Sequence, residues 1–130
     1  MKLSLATRAV AVMVAVWLAG CAATGSRFTG ESQSIDAIPG QRFEIALESN
    51  PTTGYSWTLA ERLDDRAIAF VGKTYHPGGS AAMGAGGVEV WTFVARREGT
   101  ARIVLAYRRP WEKGQAPAMT RVFRVAARAR

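Results

Sequence analysis

At 130 residues with one cysteine, one histidine and a formal charge of +7, the chain has room for one domain and no internal disulfide. A hydrophobic core must therefore hold it together. The same counts exclude a zinc site, and no nucleophile–base pair, cofactor motif or helical reading motif is visible, which argues against an enzyme and against nucleic acid.

The chain opens with Lys2 and Arg8, followed by an uncharged run of eleven residues from Ala9 to Ala19. A spanning helix needs about 20 residues, so this run fits the apolar core of a secretory signal instead. It ends in Leu18-Ala19-Gly20-Cys21, which resembles the lipobox of bacterial lipoproteins. That resemblance implies cleavage before Cys21, lipidation of its thiol and a membrane anchor facing the periplasm. The alternative is an ordinary signal cut near Ala19 or Ala23, which leaves Cys21 incidental. The expected division is a signal over 1–20, a flexible tether over 21–33 and a folded domain over 34–130. Lys2 and Arg8 leave with the signal, so the mature chain carries +5. Much of that excess lies in Arg121, Arg124, Arg128 and Arg130, which suits acidic partners or anionic envelope surfaces.

Ala22 to Gln33 is mostly small or polar, which reads as tether; only Phe28 argues for docking on the domain. Alternation then begins. Phe43, Ile45 and Leu47 oppose Arg42, Glu44 and Glu48, and Tyr55, Trp57 and Leu59 repeat the period. Ala60–Ala69 offers at most one helical turn, and Asp64 and Asp65 read as a solvated turn. Val88 to Ala95 is apolar on both parities, as in a central strand, with Trp91 in the core. Glu98-Gly99-Thr100 is a tight turn, so Val88–Tyr107 reads as one hairpin. Ile103, Leu105 and Tyr107 oppose Arg102 and Arg108, while Phe123, Val125 and Ala127 oppose Arg124 and Arg128. Period two throughout predicts an all-β fold, an antiparallel β-sandwich of about seven or eight strands.

Three segments interrupt these strands. In Asn50-Pro51-Thr52-Thr53-Gly54-Tyr55, proline fixes φ, glycine permits positive φ and Asn50 can bond nearby backbone, giving a stiff turn with two threonines at its tip. Alone it reads as an ordinary β-turn. The second segment, roughly His76 to Gly87, holds Gly84, Gly86 and Gly87. A phosphate loop would need a helix after it, and valines with Trp91 follow instead. Bare backbone there can approach an extended partner closely, and Met83 offers an adaptable apolar contact. His76 is expected to face solvent. The third, Arg109-Pro110-Trp111, sets the two residue types most enriched at binding hot spots on a proline-stiffened turn. The competing reading tucks Trp111 over the sandwich edge with Arg109 stacked on it. Glu112 and Lys113 read as rim charges.

In this order the three motifs resemble those of the chagasin family, compact inhibitors of papain-like cysteine peptidases. The resemblance spans most of the chain after about residue 34. It implies an immunoglobulin-like sandwich, in agreement with the alternation. It also implies that Asn50 to Tyr55 enter the peptidase cleft, with Thr52 and Thr53 nearest the catalytic cysteine and histidine. The loop carrying Gly84, Gly86 and Gly87 would lie along the non-primed side. Arg109, Pro110 and Trp111 would grip the primed side. The implied action is reversible occlusion by a monomer, with no catalytic residue, metal or cofactor. The alternative is a non-inhibitory envelope module that binds another partner through the same loops.

Overall fold

A computed structural model describes residues 25–30, 33–78 and 86–129. The expected signal, Cys21, the Met83 and Gly84 part of the second loop and Arg130 lie outside them. The described residues form eight strands: β1 (Ser26–Thr29), β2 (Ser34–Ala37), β3 (Arg42–Ser49), β4 (Ser56–Leu59), β5 (Ile68–Pro77), β6 (Gly87–Ala95), β7 (Gly99–Arg108) and β8 (Met119–Ala127). One sheet is ordered β1-β3-β6-β5 and the other β2-β8-β7-β4. Apart from the added β2, this is the four-against-three division of an immunoglobulin-type sandwich.

Alternation accounts for the core. Phe43, Ile45 and Leu47 of β3 face Ile103 and Leu105 of β7 and Phe123 and Val125 of β8 in one buried cluster. Phe43 stacks on Phe93 at 5.7 Å between ring centroids, and Trp57 and Trp91 are buried as expected. Each large side chain taken fully from water contributes roughly 1.5–3 kcal/mol, the principal stabilisation open to a chain with one cysteine.

The structure corrects three expectations. Residues 26–29, read as tether, form strand β1, and Phe28 meets Phe43 edge-on at 6.5 Å. Composition misled here because four backbone pairs and one aromatic ring suffice to seat an edge strand. The sandwich is not wholly antiparallel either: β1 runs parallel to β3, and β2 parallel to β8. The chain passes from one sheet edge to the other between these two short strands, so neither meets its partner through a hairpin. Finally, Val88–Tyr107 is not a hairpin, because β6 and β7 lie in different sheets. Arg96 N–H donates to the Ala67 carbonyl at 2.8 Å, keeping the chain beside β5, and Gly99 at φ 137° turns it across the gap.

β5 was not expected. Beyond Ile68 its side chains are mostly exposed, as befits an edge strand, and a bulge after Phe70 breaks its register with β6. Between β4 and β5 the amides of Ala67 and Ile68 both close on the Asp64 carbonyl at 2.9 Å, forming a turn.

The turns after β3, β5 and β7 gather at one pole of the sandwich. Ser49 and Pro77 both lie in register with Gly87 there, and Arg108 pairs with Ser56. Ser26 and Ala127, near the two ends of the described chain, sit at the opposite pole, paired with Phe43 and Gly99.

Candidate functional site

The turn after β3, loop 1, is a single 3-10 turn over Pro51–Thr53. Asn50 caps it: its Oδ1 accepts from Thr52 N–H at 3.3 Å and from Thr52 Oγ1 at 2.5 Å. The Asn50 carbonyl accepts from Thr53 N–H at 3.1 Å and from Thr53 Oγ1 at 2.6 Å. Gly54 closes the turn in the left-handed region, φ 82°, with its N–H on the Pro51 carbonyl at 2.9 Å. Both threonine hydroxyl protons are thus spent inside the turn, and among the described residues no histidine or carboxylate bonds to either hydroxyl. Beneath the turn, Asn50 N–H donates to Tyr107 Oη at 2.9 Å. Tyr55 stacks on Tyr107 at 5.2 Å, and Trp57 packs on the same ring at 5.0 Å. Trp57 Nε1 donates to the Glu48 carbonyl at 2.9 Å, so aromatic groups hold up the loop from behind.

Loop 3 follows β7. Glu112 N–H bonds the Arg109 carbonyl at 3.1 Å, a β-turn with Pro110 at its second position. Arg109 does not stay on its own loop. Its Nε donates to the Thr53 carbonyl at 3.0 Å, its Nη1 reaches Glu112 Oε1 at 3.2 Å, and its guanidinium lies 4.5 Å above the Tyr55 ring. Trp111 is 67% exposed. Its indole end lies against Gly54 and the Arg109 guanidinium is 6.0 Å from its ring, so the side chain rests on loop 1 at one end and leaves most of its surface open. Glu112 is engaged with Arg109 instead of lying free at the rim. Arg108 is also tied inward, with Nη2 on the Gln115 carbonyl at 2.8 Å.

Loop 2 closes the β5–β6 hairpin. Gly78 N–H donates to the Gly86 carbonyl at 3.0 Å, and Gly86 approaches the Ser49 carbonyl and Asn50 of loop 1. At Gly87 a β-carbon would collide with the His76 carbonyl and Tyr75. At both positions the missing side chain lets other parts of the same chain come close, and His76 is exposed. Gly84 lies outside the described residues. All the other expected loop residues, Asn50 to Tyr55, Gly86, Gly87 and Arg109 to Trp111, stand at the same pole.

Two supports escaped sequence reasoning, Tyr107 and Glu89. Glu89 shares parity with Trp91 and Phe93, so it is a carboxylate on the core face of an apolar strand. That mismatch was the available signal.

Comparison with known proteins gives the family. Residues 36–125 match the model of the chagasin family, peptidase inhibitor family I42. The chain belongs to the chagasin family. It is 36% identical to chagasin of Trypanosoma cruzi over 81 residues, which is 60% of this chain and 74% of that protein. Amoebiasin-1 of Entamoeba histolytica is 38% identical over 80 residues, with the same two shares. The crystal structure of the Entamoeba histolytica cysteine protease inhibitor EhICP2 superposes with a TM-score of 0.65 at 25% identity, covering 79% of this chain and 94% of that one.

Proposed function

We propose that this chagasin-family chain is a reversible inhibitor of papain-like cysteine peptidases that occludes the active-site cleft with loops 1, 2 and 3. The observation that carries the reading is the lock between two of these loops. Arg109 of loop 3 holds the Thr53 carbonyl of loop 1, while Trp111 beside them remains open to a partner. A rigid wedge next to an unpaid aromatic surface loses little freedom on docking. An interface of about 1,600 Å² can then be tight.

Loop 1 is suited to blocking rather than to being cut. Peptides are recognised at clefts as extended strands, whereas Pro51–Thr53 is curled and internally bonded. Threading it through as a substrate would break the Asn50 cap and the Thr53–Arg109 bond together. Wedge and anchor thus have separate roles, with Thr52 and Thr53 filling the cleft and Trp111 gripping its flank. Gly84, Gly86 and Gly87 of loop 2 offer backbone on the other side.

The protein acts as a monomer, lipid-anchored to the cell envelope through Cys21. Leu18-Ala19-Gly20-Cys21, directly after the apolar run, supports the anchor. Titration of the purified protein against papain tests the inhibitory reading. Stoichiometric loss of turnover is expected. Full turnover in the presence of excess protein would instead favour a non-inhibitory binding module.

A further inference from the structure

Glu89 is buried at 5% exposure on the core face of β6, a position that an apolar residue would fill without desolvating a charge. Its carboxylate is the meeting point of four strands. Oε2 accepts from Ser49 Oγ, at the end of β3, at 2.6 Å and from Trp57 N–H, in β4, at 3.3 Å. Oε1 accepts from Trp91 Nε1 at 3.3 Å and lies 4.0 Å from Lys73 Nζ of β5. Lys73 in turn donates to the Trp57 carbonyl at 3.5 Å and lies 5.1 Å from the Trp91 ring.

The strands in this list are the stems of two loops. Ser49 and Trp57 flank loop 1, and they belong to opposite sheets, so no backbone ladder joins them. Lys73 and Glu89 itself flank loop 2. We infer that Glu89 is a positioning residue that sets loop 1 against loop 2, so that wedge and flanking backbone meet a peptidase cleft already in register. This rests on the inhibitory reading above. Arg109 fixes loop 1 to loop 3 near the tips, and Glu89 fixes it to loop 2 at the base. A carboxylate is suited to that task because both oxygens accept directional hydrogen bonds, from groups that belong to the two different sheets.

The test is Glu89→Gln in the full chain, which keeps the size and one acceptor oxygen. Loops that are no longer preset leave a smaller binding-competent fraction, and apparent affinity falls by that fraction. The expected result is a tenfold or greater drop in the association rate constant with papain, with only a few degrees of melting temperature lost, because the new amide nitrogen faces a donor that the carboxylate oxygen satisfied. Amide exchange in the free variant should speed up at residues 50–57 and at the ends of β5 and β6, and stay unchanged at the opposite pole. A parental association rate with parental loop exchange overturns the inference. So does a uniform rise in exchange with a matching fall in melting temperature, which marks plain structural support. Should Glu89→Gln fail to fold, Ser49→Ala removes one of the same bonds from outside β6, and a smaller change of the same kind is expected. If the parent itself does not inhibit papain, the functional reading fails, while exchange in the free protein still decides whether Glu89 sets the loops.

Discussion

The indole of Trp111 lies over Gly54 so closely that a β-carbon at residue 54 would overlap the ring. Gly54 also needs φ 82°, which a β-branched residue adopts only under strain. Gly54→Val therefore disturbs loops 1 and 3 at once. The left-handed conformation alone costs about 1–2 kcal/mol, or roughly 5–10 °C of melting temperature in a domain of this size. Thermal unfolding should show that loss, and inhibition should weaken more than for any alanine change at the loop 1 tip.

Trp111→Ala should separate binding from stability. On the inhibitory reading the exposed indole is an anchor, and truncating such residues typically costs about 2 kcal/mol or more of affinity, some thirtyfold. Most of that should appear as faster dissociation. The melting temperature should barely move, because two-thirds of the side chain already faces water. A drop of several degrees with inhibition intact would take Trp111 out of the site.

Arg109→Lys tests the lock. A guanidinium can bond Thr53, meet Glu112 and lie flat over Tyr55 together; an ammonium cannot reproduce that fork. Inhibition is expected to weaken about five- to tenfold, from the loss of one charge-assisted hydrogen bond. Unchanged kinetics would mean that loops 1 and 3 are held independently.

Replacing Thr52 and Thr53 with alanine should weaken inhibition only modestly, since the wedge is largely backbone. Its chief effect is to loosen the Asn50 cap. After long incubation with papain the parent protein should run uncut on a gel. Rapid cleavage between Thr52 and Gly54 would show that loop 1 enters as a substrate.

Cys21→Ser should leave the domain folded and move it from the membrane fraction to a soluble or unprocessed form. A parent that is freely soluble in its own host would remove the anchor.

The long strands were legible because β3 and β8 are half-buried with period two, and β7 keeps its largest apolar residues on one parity although Ile103 to Tyr107 are all buried. The three motifs marked their loops because Pro and Gly declare a turn from sequence alone. Other features were hidden for physical reasons. β5 is an edge strand whose exposed side chains carry no alternation, and β1 has four residues with one aromatic. Whether Glu98-Gly99-Thr100 folds β7 back beside β6 or throws it into the second sheet depends on what the core on either side accepts, which no local signal records. Arg109 was read as a contact or a stack for Trp111, but its bond to Thr53 spans 56 positions of the chain and shows only in three dimensions. Glu89 stood in plain view as a charge on an apolar face, unread until its partners were placed.

Ser26 and Ala127 leave the sandwich at the pole away from the loops. A bead, a fluorescent protein or a second module joined at either end of the described chain would therefore sit behind the domain, and the loops would project forward unobstructed. The same plug could be mounted on a surface or strung in tandem without being redesigned, its orientation set by which way the first and last strands run.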